Sequence, residues 1–302
     1  MNNNILMSIR REVWEHRALW IAPLVVAGVL LLISALGGVN ANEHGGFWIG
    51  THDGVQVDHS RITPPEDVRQ LIISGMMSML TMVQMLTLGI VVFFYLLDSL
   101  LAERRDRSIL FWKSLPVSDV EVVASKALTA LVVAPAFVLV VSALMMLLCS
   151  AVMSLRMSDL PFHAWSFPAW LDVQAVLLGL VPTVVLWYLP IAGYLMVISA
   201  WVRKNAFLWA ILPPVGLLII EQLVTRTHVV GEFLANRFGG FVRVVDQAEL
   251  RRLDEFTPEH VVRDSYHLIG QVYASWELWA GVFAGLALIY AAARIRRLRD
   301  DS

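Results

Sequence analysis

The chain alternates between long apolar segments and polar connections. Six segments consist almost wholly of apolar residues: Ala18–Leu36, Leu71–Leu97, Ala127–Val152, Val173–Val202, Ala206–Ile220 and Trp276–Ala293. A helix needs about 20 residues to cross the hydrocarbon core of a bilayer, so these segments predict six membrane-spanning helices and an all-α fold. The fifth and sixth are short, and Pro213–Pro214 predicts a kink or break near the outer end of the fifth.

The residues before the first span have a one-sided apolar pattern. In Met1–Arg17, the apolar residues Ile5, Leu6, Ile9 and Val13 recur at helical spacing, with most charges on the other side. This pattern predicts an amphipathic helix lying along the inner membrane surface. The alternative is a solvated helix that leads into the first span.

Composition supports a membrane protein. Hydrophobic residues make up 58% of the 302 residues and charged residues 16%, and the mean hydropathy is +0.66, so the chain is more apolar than a typical soluble domain. We interpret residues 1–302 as a single transmembrane domain. The net charge of −2 gives no support to nucleic-acid binding. The single cysteine, Cys149, cannot form an intramolecular disulfide.

The distribution of basic residues predicts the orientation. With the N-terminus inside, 14 of the 23 Lys and Arg residues fall on the cytoplasmic side. Six of the other nine lie in the long Thr225–Ser275 segment, where the positive-inside rule counts for less. Both termini are therefore predicted to be cytoplasmic.

Two outer segments are large. Gly37–Gln70 contains His44, His52 and His59 without a recognisable metal-ligand spacing, and we interpret it as a polar loop rather than a metal site. Thr225–Ser275 mixes apolar and charged residues, which predicts short helices that cap the outer mouth. The alternative is a segment that dips into the membrane.

Catalytic motifs are missing from the sequence. It has no phosphate-binding loop, no zinc-binding H-E-x-x-H helix and no nucleophile elbow, so we assign no catalytic, cofactor-binding or metal-binding residues. The polar residues of the spans are predicted to form helix–helix hydrogen bonds: Thr81, Gln84, Thr87, Ser142 and Thr183. Glu221, Gln222 and Glu277 are candidates for an outer gate, and the alternative is that they are solvated helix ends.

One connection between spans differs from the rest of the chain. In Asp98–Lys126, the charged run Glu103–Arg107 is followed by the apolar run Ile109–Trp112 and then by Pro116. Ser118 and Glu121 have the spacing of a capping box, which predicts that a new helix starts there. The pattern indicates a short helix that presents apolar side chains to a soluble partner. A juxtamembrane loop with interfacial aromatics is the alternative.

This connection resembles the cytoplasmic coupling region of the permease subunits of type-2 ABC exporters. The family pattern has an E-R-x-x-x-[ST] segment, then L-P-V-S, then a lysine just before the third span. The matching residues are Glu103, Arg104, Ser108, Leu115, Pro116, Val117, Ser118 and Lys126. The N-terminal RREVWEHRALW stretch and the enlarged outer segment before the last span are also similar to the family.

The resemblance implies half of an ATP-driven exporter in the bacterial cytoplasmic (inner) membrane. This chain would be a non-catalytic subunit without its own cofactor, and ATP and Mg would bind to two copies of a separate cytoplasmic ATPase. A second copy of this permease, or a homologous permease, would complete the pathway. The implied ATPase contacts are Glu103, Arg104, Arg105, Asp106, Arg107, Ser108, Ile109, Leu110, Phe111 and Trp112.

Two other functions are compatible with the sequence. The first is a non-transporting membrane scaffold or assembly factor that binds a cytoplasmic partner through the same connection. The second is a secondary transporter, which would be expected to have acidic or histidine residues deep in its spans, and these are scarce. The apolar spans favour an amphipathic or hydrophobic cargo without identifying it.

Overall fold

The computed structural model describes residues 3–36, 66–106, 118–156, 167–249 and 258–298, which are almost entirely helical, with no strand among them. The prediction of an all-α fold is therefore confirmed. The helices are α1 (Asn3–Glu15), α2 (Ala18–Leu36), α3 (Glu66–Arg105), α4 (Asp119–Leu128), α5 (Ala134–Arg156), α6 (Phe167–Trp201), α7 (Ala206–Ile220), α8 (Val229–Glu249), α9 (Pro258–Ala274) and α10 (Trp276–Leu298). Short π-helical segments, Thr129–Val133 and Glu221–Thr225, follow α4 and α7.

Six helical stretches in the described part of the chain are long and apolar enough to cross a membrane, as predicted. They are Ala18–Leu36, Met77–Arg105, Asp119–Val152, Trp170–Trp201, Ala206–Val224 and Trp276–Leu298. The fifth and sixth, with 19 and 23 residues, are longer than the sequence indicated. The helix continues through Pro213 and Pro214 and becomes π-helical at Glu221, so the two prolines do not end the span.

The outward faces of these helices are strongly apolar. On α2, the residues Leu24, Val25, Leu32 and Ile33 each expose about half or more of their surface, and α3, α5, α7 and α10 carry similar faces. Contiguous exposed apolar area of this extent is rare on soluble monomers, whereas lipid tails can cover it. The architecture is that of a multi-pass membrane protein.

The helix of the third span begins at the predicted capping box, eight residues before the apolar segment Ala127–Val152, and contains an irregularity. Ser118 and Glu121 form a capping box at the start of α4: the Glu121 N–H donates to Ser118 Oγ at 3.2 Å, and the Ser118 N–H donates to Glu121 Oε2 at 2.9 Å. The π-helical segment joins α4 to α5 just before Pro135. Because proline has no N–H, it cannot form the helical bond to the carbonyl of Leu131, which explains why the regular α pattern is interrupted here.

Helix α6 packs mainly against α10 and α3. At the crossing of α6 and α10, a Cβ atom on Gly193 would lie 2.7 Å from the Gly285 carbonyl oxygen, and one on Gly285 would lie 2.7 Å from the Leu189 carbonyl carbon. Glycine at both positions therefore lets the two backbones touch, as small residues do in many membrane helix pairs.

The outer segment before the last span folds into two helices, α8 and α9, of 21 and 17 residues. These are longer than the short helices that the sequence predicted. Helix α9 packs along the N-terminal half of α6: the Tyr266 hydroxyl donates to the Ala175 carbonyl at 2.7 Å, and Ile269 lies against Gly179.

Most polar residues of the spans do not form the predicted interhelical bonds. The hydroxyls of Thr81, Thr87, Ser142 and Thr183 donate to carbonyls of their own helices. Gln84 does bridge two helices, because its Nε2 lies 3.2 Å from the sulfur of Met145. Hydroxyls that bond within their helix need no partner from a neighbour, which is a common way for Ser and Thr to be satisfied in a helix.

Candidate functional site

Four buried charged residues from four helices meet at one end of the bundle. They are Glu12 of α1, Glu103 of α3, Lys126 of α4 and Arg296 of α10, which we call the charged cluster. Each exposes between 1% and 6% of its surface. Because Glu12 lies near the start of the chain and Arg296 near its end, both terminal helices reach the same end of the bundle, which we call the charged end.

The charges of the cluster alternate in sign. Lys126 Nζ lies 2.7 Å from Glu12 Oε1 and 3.1 Å from Glu103 Oε1, and Arg296 Nη2 lies 3.0 Å from Glu103 Oε2. Asp119, at the start of α4, is the second partner of Arg296. A buried charge is costly unless an opposite charge and hydrogen bonds compensate it. Here each of the two central residues, Lys126 and Glu103, has two opposite neighbours.

Two aromatic groups complete the surroundings of Glu12. The Tyr95 hydroxyl donates to Glu12 Oε2 at 2.9 Å, and His16 Nε2 lies 3.4 Å from the same oxygen. The rings of His16 and Tyr95 meet edge to face, with their centroids 4.7 Å apart. Burial lowers the pKa of His16 and outweighs the raising effect of Glu12, so the imidazole is neutral at pH 7.

Arg104, next to Glu103, connects α3 to the end of α6. Its Nη2 donates to the carbonyls of Ser199 and Val202, the latter at 2.7 Å. Cations stabilise the C-terminus of a helix because the final carbonyls carry partial negative charge. Ser199 Oγ in turn accepts the N–H of Leu100 at 3.0 Å. A side chain of the second span thus bonds to the backbone of the fourth, and a side chain of the fourth bonds to the backbone of the second.

The predicted partner contacts divide into three groups. Glu103 and Arg104 bond to other helices of the chain, whereas Arg105 and Asp106 are exposed at the end of α3. The remaining predicted contacts lie outside the described residues: Arg107, Ser108, Ile109, Leu110, Phe111 and Trp112. Contact of all ten residues with an ATPase stays a prediction, and for Glu103 the side chain is already surrounded by Lys126 and Arg296.

The three candidates for an outer gate lie around α8. The buried carboxylate of Glu221 accepts the N–H groups of Val230 at 2.9 Å and Gly231 at 3.1 Å, and the Thr227 hydroxyl at 3.0 Å. Gln222 and Glu277 have exposed side chains, and the carbonyl of Glu277 accepts a hydrogen bond from Arg237 of α8. Glu221 and Glu277 thus contact the same helix about two turns apart. Their role in gating stays a prediction.

Arg237 is a further residue of interest, which the sequence did not single out. It exposes 8% of its surface, its guanidinium lies 4.8 Å from the ring centroid of Trp187, and its Nη1 is 3.3 Å from the Glu277 carbonyl. Burial lowers the pKa of Arg237, against the raising effect of Glu277. Trp187 Nε1 donates to the Arg237 carbonyl at 3.0 Å, so α8 is fixed to α6 by its side chain and its backbone.

We expect Glu221 to hold the first turn of α8. A carboxylate that accepts free N–H groups at a helix N-terminus stabilises that turn. Replacing Glu221 by leucine removes every acceptor, so hydrogen exchange of the Val230 and Gly231 amides should accelerate by about tenfold or more. Hydrogen–deuterium exchange mass spectrometry measures this rate. The exposed neighbour gives the control, since Gln222→Leu should leave both amides unchanged, and equal exchange in the two variants would contradict the assignment.

The sequence contains partial indications of the charged-cluster residues that were not predicted as site residues. Ile5, Ile9, Glu12 and His16 lie on one face of α1 and its end, four, three and four residues apart; Glu12 is buried and the other three are half-buried. A carboxylate on the apolar side of an amphipathic helix suggests a buried partner. Lys126 is part of the family pattern, and Arg296 is one of the basic residues that follow the last apolar segment. Nothing in the sequence indicated that they share Glu103.

The described residues contain no group of His, Cys, Asp and Glu side chains able to hold a metal ion. The predicted polar loop with His44, His52 and His59 lies outside the described residues. Comparisons with known protein families, with curated proteins and with solved structures find no match. The features of the chain that bear on function are the charged cluster and the sequence pattern around it.

Proposed function

We propose that this chain is the membrane subunit of a type-2 ABC exporter, driven by a separate cytoplasmic ATPase. The observation that carries the proposal is the position of the charged cluster. Glu103 and Lys126 flank the 107–117 connection, and they are bonded to each other and to both terminal helices. This is the connection whose residues resemble the coupling region of that family.

The cluster gives the connection a mechanical role. Force applied at residues 107–117 acts on the end of α3 and the start of α4, which the Lys126–Glu103 pair joins at 3.1 Å. Arg296 extends the link to α10, and Glu12 extends it to α1. Arg104 adds α6. A partner that pushes on the connection would therefore move the inner ends of spans 2, 3, 4 and 6 together and bias a two-state membrane unit.

The proposed assembly is the one implied by the resemblance to type-2 ABC exporters. The charged end faces the cytoplasm of a bacterial cell, in agreement with the excess of basic residues in the segments assigned to that side. Two permease copies form the pathway, and two ATPase copies bind ATP and Mg below them. Closure of the ATPase pair pushes on both connections at once.

The central test is a purified complex. We expect a cytoplasmic ATPase to co-purify with the chain and its ATP turnover to depend on the chain. Replacing Phe111 and Trp112 together by alanine should weaken this binding by about tenfold or more, the effect typical of buried aromatic anchors at an interface. Membrane insertion should be unchanged, because the substitution lies outside the spans. Trp14→Ala provides the control, since Trp14 is a strongly exposed aromatic on α1.

Three outcomes separate the candidate functions. Loss of ATPase binding and of transport in the double variant, with normal behaviour of Trp14→Ala, supports the exporter. A partner that binds through Phe111 and Trp112 but hydrolyses no ATP identifies a membrane scaffold. Transport by the purified chain alone under an ion gradient identifies a secondary transporter. Normal assembly and transport by the double variant would refute the coupling assignment.

A further inference from the structure

Arg237 of α8 is a buried cation without an acidic partner. It exposes 8% of its surface, and its Nε and Nη2 atoms, both shielded from water, have no hydrogen-bond acceptor in the described part of the chain. Its third nitrogen, Nη1, is 3.3 Å from the carbonyl of Glu277, whose own side chain is exposed. The guanidinium also lies against the ring of Trp187. A buried charge is costly unless an opposite charge compensates it, so this guanidinium lacks an anion.

The guanidinium lies at membrane depth. The charged end, where exposed charged residues end α3 and follow α6, is one boundary of the membrane-crossing part. Along α6, Trp187 is 12 residues before Ser199 of that end, which corresponds to about 18 Å of helix. Along α10, Gly281 is 15 residues before Arg296, or about 22 Å. The hydrocarbon core is about 30 Å thick, so Arg237 lies in its outer half, where an ionisable side chain indicates a functional site.

A notch in α10 holds the guanidinium. Gly281 has no side chain, and a Cβ atom there would overlap Arg237 Nη2 and lie 2.6 Å from its Cζ. The backbone of α8 is held by two other bonds. Trp187 Nε1 donates to the Arg237 carbonyl at 3.0 Å, and the hydroxyl of Tyr188 donates to the Phe238 carbonyl at 3.0 Å. The long arginine side chain can therefore leave the notch while α8 stays in place.

We propose that Arg237 binds the oxyanion head group of an amphiphile that enters from the outer half of the membrane. Nε and Nη2, the two nitrogens without an acceptor, share one edge of the guanidinium, and this edge can donate two parallel hydrogen bonds to a phosphate or carboxylate. Phe233 and Phe238 of the same helix expose 65% and 59% of their surface and provide apolar contact for the tail. Binding requires no ATPase, so it can be tested independently of the exporter function.

The test measures binding of radiolabelled dodecyl phosphate to the full chain in dodecyl maltoside, a detergent without phosphate. We expect saturable binding that dodecanol, which has the same tail and no charge, does not compete away. Arg237→Gln should weaken binding by about tenfold or more, because two charge-assisted hydrogen bonds are lost. Arg263→Gln is the control, since it removes an exposed arginine of α9.

Gly281→Ala separates ligand recognition from a structural role. The new methyl group fills the notch and holds the guanidinium outside it, so binding should strengthen by about threefold or more, because the arginine no longer has to leave the notch first. Thermal unfolding without the ligand is the second measurement. Arg237→Gln should leave the midpoint unchanged, because a buried cation without an anion contributes little to stability. A lowered midpoint together with unchanged binding would show a structural arginine.

Native mass spectrometry of the purified chain identifies the source of the ligand. If a membrane phospholipid occupies the site, the wild type should retain one phospholipid that Arg237→Gln loses. If the ligand is an exported anionic amphiphile, both proteins should retain the same lipids, and dodecyl phosphate should still bind more tightly to the wild type. Both outcomes support the site. Wild-type binding of dodecyl phosphate by Arg237→Gln, equal competition by dodecanol, or weaker binding by Gly281→Ala would overturn it.

Discussion

Replacing Lys126 by methionine is expected to lower the free energy of unfolding by about 3–5 kcal/mol, the cost typical of removing one partner from a buried ion pair. Lys126 exposes 1% of its surface and contacts two carboxylates. Glu103 keeps Arg296 after the change, but Glu12 keeps only Tyr95 and His16. The main loss is therefore an uncompensated buried charge at Glu12.

A second substitution separates charge from packing. Adding Glu12→Gln to Lys126→Met removes the stranded carboxylate, so we expect the double variant to recover much of the lost stability. Thermal unfolding of the purified chain, followed in one detergent, measures both changes. Lys204→Met provides the control, because Lys204 is an exposed lysine in the connection that follows α6. A double variant no more stable than Lys126→Met would show that the lysine acts through its packing.

The same variants address the proposed coupling. If the cluster transmits force from the 107–117 connection, the double variant should fold and bind the ATPase while transport falls relative to ATP turnover. Folding depends on balanced charge, whereas transmission depends on a bonded link between α1, α3 and α4 through Lys126. A variant that is stable but hydrolyses ATP without transport would show that the Lys126 link transmits force and does not serve stability alone.

The spans were predictable because their signal is local. A run of about 20 apolar residues can be read without knowledge of any neighbour, and the Ser118–Glu121 capping box spans three residues. The lengths of spans 5 and 6 were underestimated because charged residues lie inside their helical ends. Glu221 continues the fifth span as a π-helical residue, and Arg296 belongs to α10 while its charge is compensated by Glu103.

The charged cluster was not predictable because its signal is not local. Glu103 is paired with Lys126, 23 residues later, and with Arg296, 193 residues later. Read alone, the Glu103–Arg107 run predicts a solvated charged surface for a partner. The fold instead turns Glu103 and Arg104 inward and leaves Arg105 and Asp106 exposed. Neighbouring residues of one charged helical turn therefore differ in exposure, and the packing of α4, α6 and α10 determines which of them point inward.

Replacing Gly285 by alanine is expected to destabilise the chain by about 1–3 kcal/mol, the usual effect of overpacking a closely packed site. The new Cβ would lie 2.7 Å from the Leu189 carbonyl carbon and 2.8 Å from its oxygen. Backbone atoms cannot rotate away as a side chain can, so α6 and α10 must separate. This separation also reduces contacts at Gly193, where the spacing is equally tight.

The control for overpacking is the same glycine-to-alanine substitution at a helical site where the new Cβ has no neighbour. A Cβ on Gly89 of α3 would meet nothing within 4 Å, so Gly89→Ala should leave stability unchanged or raise it, because alanine is the better helix former by about 0.5–1 kcal/mol. Thermal unfolding of both variants in one detergent gives the difference directly. Since α10 also carries Arg296, separation at Gly285 should loosen the charged cluster, and combining Gly285→Ala with Lys126→Met should cost less than the sum of the two changes. Equal stability of the two alanine variants would show that α6 and α10 do not touch at this crossing.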